Sequence, residues 1–136
     1  GTTSSGCQAH VSAAVVPSLS AASGFDVSVG TVEGNKDGIL FFSTNGQQAN
    51  PWGNGTSYQC VVAPVKRTGT LSGTGSSGAC DGSFQLDFNA WMAANPAKAP
   101  AAGQKAFMQC WFRDPLSTSN QTTSLSDALA FQVCPR

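Results

Sequence analysis

Polar and apolar residues alternate along several stretches of this chain with a period of two, the spacing of a strand with one face in a core. Phe25, Val27 and Val29 fall on one side of such a stretch, with Asp26, Ser28 and Gly30 opposite. Phe84, Leu86 and Phe88 repeat the pattern. Met108, Cys110 and Phe112 do so again and leave Trp111 on the reverse side, over a second sheet face or solvent, with a core position favoured. Gly38-Ile39-Leu40-Phe41-Phe42 is apolar almost without a break and reads as a strand buried on both faces. His10 to Val16 leans towards β and stops at Pro17, while Tyr58-Gln59-Cys60-Val61 and Val65-Lys66-Arg67-Thr68 read as strands separated by Pro64.

Turn chemistry sits between these runs. Gly34-Asn35-Lys36-Asp37-Gly38 holds residues that tolerate positive φ and predicts a hairpin joining the strands on either side. Residues 45–56 and 70–82 read as long loops. The one helical signal is Ala90-Trp91-Met92-Ala93-Ala94, with Asn89 as N-cap and Pro96 and Pro100 limiting it to a turn or two. The expected fold is all-β: a two-sheet antiparallel β-sandwich, with a jelly-roll among its forms, and one short helix. Residues 1–6, rich in Gly, Ser and Thr, are expected to be a linker remnant of a longer protein, and residues 7–136 a single sandwich domain, monomeric.

Composition narrows the function classes. Charged residues make up only 10% of the chain, so hydroxyls and amides carry the solubility, as is common in secreted β proteins. Seven basic residues balance seven acidic ones and form no basic stripe, which argues against nucleic acid as a partner. No apolar run is long enough for a membrane span. Five cysteines without Cys-x-x-Cys spacing, beside a single His, favour disulfides over zinc and an oxidising compartment. The expected bridges are Cys60–Cys80 and Cys110–Cys134, with Cys7 left over after the flexible start.

Catalytic chemistry is poorly served. His10 stands alone, and no Gly-x-Ser-x-Gly elbow is present. The acids Asp26, Asp87, Asp114 and Asp127 sit at strand or turn shoulders, and Arg113 is expected to hold Asp127 or Asp114 in a structural ion pair. Glu33, Asn35 and Asp37 have part of a calcium-loop spacing but no Glu at the twelfth position, so calcium stays open as a cofactor. The better functional material is aromatic. Trp52 lies in Asn50-Pro51-Trp52-Gly53-Asn54-Gly55, between residues too small to bury it, with amides on both sides. An exposed aromatic in a loop usually means recognition, with a lid over one end of the sandwich as the alternative, so Trp52, Asn50, Asn54 and Tyr58 form the candidate ligand-binding set. Trp91, beside the short helix, reads first as a cap on the core and otherwise as a second face of the platform.

Gln109-Cys110-Trp111-Phe112-Arg113-Asp114-Pro115, then Ser124-Leu125-Ser126-Asp127-Ala128 and Phe131-Gln132-Val133-Cys134-Pro135, make an alternating hairpin with charged shoulders. This pattern resembles a C-terminal domain recurrent in large secreted proteins of planctomycetes and myxobacteria. The resemblance extends to residues 34–42, 50–55 and 58–61. The chain departs from it in its extra cysteines and in an insertion around residues 70–78. The resemblance implies a secreted bacterial β domain and carries over no catalytic residues. Two functions are expected from different classes: a non-catalytic secreted module that binds polysaccharide, or a structural or adhesive cell-surface module with no small-ligand site.

Overall fold

The alternating stretches become two packed sheets. The structure, a computed structural model, describes residues 1–53, 56–117 and 122–135. One sheet has three strands in the order β1 (His10–Ala13), β2 (Asp26–Val32), β7 (Gly82–Asp87). The other has four, β6 (Lys66–Leu71), β3 (Gly38–Ser43), β8 (Lys105–Arg113), β9 (Thr123–Gln132), and every pairing in both sheets is antiparallel. A separate hairpin, β4 (Gln47–Trp52) with β5 (Ser57–Val61), and one short helix, α1 (Phe88–Ala94), complete the described elements. The protein is an all-β sandwich, as the alternation predicts.

Between the sheets lie Val11, Val27, Val29 and Phe84 from one side and Leu40, Phe42, Met108 and Phe112 from the other. The helix adds Phe88 and Met92 to this core. Phe88 is its aromatic centre: it stacks on Trp91 with ring centroids 5.4 Å apart and meets Phe42 at 5.1 Å and Phe131 at 5.6 Å, both edge-on. Such ring geometries add to what area burial alone supplies. Along one side the sheets are joined, because Val11 N–H donates to the Asp127 carboxylate at 2.7 Å and Asp127 N–H donates to the Ala9 carbonyl at 3.3 Å.

The expected β2–β3 hairpin is not formed. Asn35 does take a positive φ of 58°. The turn, however, carries the chain from one sheet to the other, and its hydrogen bonds go to the long loop after β6. Gly34 N–H donates to the Ala79 carbonyl at 2.9 Å and Asn35 N–H to the Thr74 carbonyl at 2.8 Å. A Cβ at Gly34 would collide with the Ser76 backbone, so this close approach requires glycine. The cap of α1 also moves. Asp87, not Asn89, accepts from Ala90 N–H, while Asn89 is buried and holds Ser18 N–H and the Ser23 carbonyl at 3.0 and 3.1 Å. A buried amide needs partners, and the loop before β2 supplies them.

The expected disulfides are corrected as well. Cys7, the residue expected to be free, bonds to Cys80, leaving Cys60, Cys110 and Cys134 as thiols. Register explains the failure of Cys110–Cys134. Lys105 pairs with Gln132, so Cys134 lies beyond the start of β8 while Cys110 lies five residues into it. That offset is on the order of 20 Å at strand rise, where a disulfide spans less than ~7 Å between Cα atoms. Cys60 lies on β5, its N–H bonded to Gln109 on the outer face of β8, whereas Cys80 lies in the loop after β6 whose Ala79 carbonyl holds the turn after β2. Residues 1–6, expected to be linker, are also packed down: Thr3 is buried, Thr2 N–H donates to the Thr56 carbonyl at 2.5 Å, and Ser4 N–H reaches Asp114 at 2.8 Å.

Two outcomes follow from this frame. Closing a 73-residue separation restricts the unfolded chain, so Cys7→Ser with Cys80→Ser should lower unfolding free energy by about 2–4 kcal/mol in urea titrations. Alkylation of the unreduced, denatured protein should add three groups and leave a Cys7–Cys80 peptide in the digest; a Cys60–Cys80 peptide would overturn the pairing. Asp87 is held below the ordinary aspartate value of 3.8, chiefly by the Gly24 N–H and then by the Ala90 N–H. A depressed folded-state pKa stabilises above the ordinary value and stops doing so as pH falls through the folded one. Asp87→Ala should therefore melt earlier than wild type at neutral pH, and the gap should close below pH 3.8.

Candidate functional site

Strand β8 alternates so strictly that its outward row can be read off the sequence: Lys105, Phe107, Gln109, Trp111, Arg113. The inward row, Ala106, Met108, Cys110 and Phe112, is in the core. An aromatic and amide row on the outer face of a sheet needs a cover, and the β4–β5 hairpin supplies one over its middle. Gln109 is fully buried there. Its carbonyl oxygen accepts from Cys60 N–H at 3.0 Å, and its amide donates to the Tyr58 carbonyl at 2.7 Å and the Ser126 carbonyl at 2.6 Å. Ser57 Oγ accepts from Leu125 N–H at 3.2 Å, and Ser43 Oγ donates to the Val62 carbonyl at 2.7 Å. A small second core of Phe41, Val61 and Leu125 lies beneath, with Trp52, Val65, Phe107 and Trp111 packed on its edges.

Beyond the edge of the hairpin the row is open. Two clefts meet at Trp111. One, of about 170 Å³, lies between Trp52, Gln59, Arg67 and Trp111, with Phe41 and Leu125 as its floor. The other, of about 260 Å³, runs past Ile39, Thr70 and Thr123 to Asp37 and Arg113. Both indoles are half-buried. Trp52 Nε1 donates to Thr123 Oγ1 at 3.3 Å, and the Arg67 guanidinium lies over the Trp111 ring, 5.1 Å from its centroid. The Trp111 Nε1–H is the one buried side-chain polar atom without a hydrogen-bond partner among the described residues. Leaving such a donor unmatched costs about 1–3 kcal/mol, which the packing of the ring against the second core and Arg67 offsets.

The residues singled out from sequence divide between two faces. Trp52 is in this cleft, as a wall rather than a free-standing ring. Asn50 is exposed on β4 opposite Gln59, and Tyr58, 43% exposed, lies opposite Pro51 on the same hairpin. Asn54 lies outside the described residues. Trp91 does not join them. It packs against the main core on the other face of β3 and donates from Nε1 to the Thr68 carbonyl at 3.0 Å. Trp111, Gln59 and Arg67 line the cleft and are absent from the set read from sequence. The signal for Trp111 was its place in the outward row of β8; for Arg67 and Gln59, whose strands reach the cleft only through tertiary pairing, there was none.

The expected ion pairs are rearranged. Arg113 is exposed and forms no ion pair among the described residues. Asp114 is buried and receives Ser4 N–H at 2.8 Å, the Ser4 hydroxyl, and Ser124 Oγ–H at 2.7 Å. Asp127 receives His10 Nδ1 and Val11 N–H. The His10–Asp127 contact has one feature of a catalytic dyad, yet the two side chains are 68% and 46% exposed and no described hydroxyl or thiol bonds to the ring. The thiols are no better placed to react. Partial burial pushes Cys60 up, with the amino terminus opposing and Asp127 adding, and full burial pushes Cys110 far up. Raised thiol values leave little thiolate at neutral pH.

Glu33, Asn35 and Asp37 do not gather as a calcium loop. Glu33 accepts from Ser5 Oγ and Gly78 N–H and sits 3.8 Å from Lys36 Nζ, Asn35 reaches Ser77, and Asp37 lines the larger cleft. Among the described residues no three His, Cys, Asp or Glu side chains are placed to share a metal ion. No helix among them is long and apolar enough to cross a membrane. Comparison with protein-family models, with curated proteins and with solved structures finds no match to this chain.

The Asp114 arrangement makes a direct contrast. Asp114→Ala strands two serine hydroxyls and a backbone N–H in a buried site and should lower stability by about 2–4 kcal/mol. Arg113→Ala should change it by less than about 0.5 kcal/mol, as exposed substitutions do. Urea denaturation of both variants checks this, and equal losses would restore Arg113 to a structural role.

Proposed function

We propose that this chain is a secreted, non-catalytic module that binds polysaccharide on the outer face of its four-stranded sheet, around Trp52 and Trp111. The observation that carries the reading is the cleft between the two half-exposed indoles, whose rim is set with the Gln59 amide, Thr123 and Arg67. Sugar rings present apolar C–H faces that stack on indoles, and their hydroxyls need donors and acceptors at the rim. A shallow apolar floor with a few fixed polar groups meets both demands. The Cys7–Cys80 disulfide is compatible with secretion. On this reading the domain works as a monomer and belongs with the C-terminal domains of large secreted bacterial proteins that its final hairpin resembles.

The rival structural or adhesive reading asks only for a stable scaffold, and an unpaired Cys7 would have suited it by allowing covalent assembly. With Cys7 bonded to Cys80 that support is gone. Affinity electrophoresis and calorimetry against a panel of soluble and insoluble glycans test the proposal. Trp111→Ala and Trp52→Ala should each weaken binding by about 2 kcal/mol, the loss typical of a contact aromatic, with melting little changed. Trp91→Ala should instead lower the melting temperature, because that ring is stacked in the core. Absence of retention on every polymer sinks the reading.

A further inference from the structure

The charges of this protein are sorted by role. Among the acids, Asp87 caps α1, Asp114 ties down Ser4 and Ser124, Asp127 binds the start of β1, and Asp81 holds Ser76 N–H. These carboxylates serve the fold. Several cations, by contrast, stand on the outer face of the four-stranded sheet and form no ion pair with an acid among the described residues. Lys105 Nζ lies 5.5 Å from the Phe107 ring centroid, Arg67 lies over Trp111, and Arg113 ends the outward row of β8. A chain of zero net charge therefore presents a locally basic, aromatic face.

Arg67 is the best placed of these. Its strand β6 pairs with β3 so that Arg67 is opposite Phe41, which sets the guanidinium over the cleft that Phe41 floors. Among the described residues no acidic one lines that cleft. Its position over the Trp111 ring keeps the guanidinium at the cleft, and among the described residues no acid forms an ion pair with its N–H fork. The neighbouring cleft is mixed, since Asp37 faces it along with Arg113. A planar fork held beside two stacking surfaces matches one ligand chemistry: a sugar ring that carries a carboxylate on its edge, with its C–H face on an indole and its carboxylate in a bidentate pair with the arginine.

We infer that the glycan bound here is acidic, a polymer of uronic acid residues, with Arg67 as the residue that selects the carboxylate and Arg113 a weaker second contact. This inference rests on the glycan-binding reading and fixes its substrate class. The test is calorimetric titration of the full chain with polygalacturonate and with the same polymer after methyl esterification, for wild type and Arg67→Gln. Melting curves establish that the variant is folded, and Arg113→Gln provides a second folded variant.

Wild type should prefer the free acid by about tenfold or more, the usual scale for a hydrogen-bonded charge pair against its neutral counterpart. Arg67→Gln should lose that preference while keeping its affinity for the ester, and Arg113→Gln should reduce the preference only in part. Equal wild-type affinity for acid and ester overturns the inference and leaves glycan binding standing. A preference that survives Arg67→Gln overturns it too, as does equal binding of single-stranded oligothymidylate, which would reduce the contact to bare polyanion attraction. Failure to bind either polymer or any neutral glycan removes the underlying reading as well.

Discussion

The outer surface of this sandwich depends on one buried amide. Gln109 stands in the middle of β8, on the side away from the main core, and all three of its hydrogen bonds are to backbone groups of β5 and β9. It treats the β4–β5 hairpin as though it were another strand, giving a carbonyl to one residue and an N–H to the next but one. A fully buried amide without partners is unfavourable by about 1–3 kcal/mol, so the hairpin and the sheet each need the other. With the hairpin seated, Val61 closes on Phe41 and Leu125, and Trp52 arrives beside Trp111. The cleft is the edge of that docking, the place where the cover ends before the aromatic row does.

A second constraint is the allocation of few charges. With charged residues at a tenth of the chain, each carboxylate that anchors a backbone N–H is one fewer to neutralise a cation. Asp114 and Asp127 both serve segments near the amino terminus, far from them in sequence. The first accepts from a backbone N–H and two serine hydroxyls and the second from a backbone N–H and the His10 ring, and neither pairs with arginine among the described residues. Backbone donors are already fixed in direction, so a carboxylate that accepts them gives up less side-chain freedom of its partners than an ion pair with a long cation would. Arg67 and Arg113 are left to the surface by this arrangement, and aromatic rings hold the first of them.

The sequence made the strands legible and their partners less so. The alternation in β2, β7 and β8 survives in the burial of the inward residues, Leu86 being partly buried, because period-two spacing follows from backbone geometry alone. In β4, Gln47 to Trp52 shows no such alternation and contains Pro51, and it pairs with nothing but β5, so it passed for loop. The Gly-Asn-Lys-Asp-Gly turn was correctly placed, but a turn sequence says only that the chain reverses. Whether it returns beside its own strand or crosses to the facing sheet is decided by where its N–H groups find carbonyls, here on residues some forty positions later. Cysteine pairing failed for the same reason, since it too is a statement about distant neighbours.

The candidate site shows how far local signals reach. Trp52 was visible because small residues flank it, and its ring does border the cleft. Trp91 lies one helical turn past Phe88 and stacks against it in the core, the core-capping place that its position beside the helix suggests. What separated the two was the face of β3 on which each landed, Phe41 outward for one and Phe42 inward for the other. Adjacent residues of one buried strand thus serve two different cores. Because the outer core is small, the hairpin covers it without closing over Trp111 fully, and that half-buried ring borders both clefts while its buried N–H has no partner among the described residues.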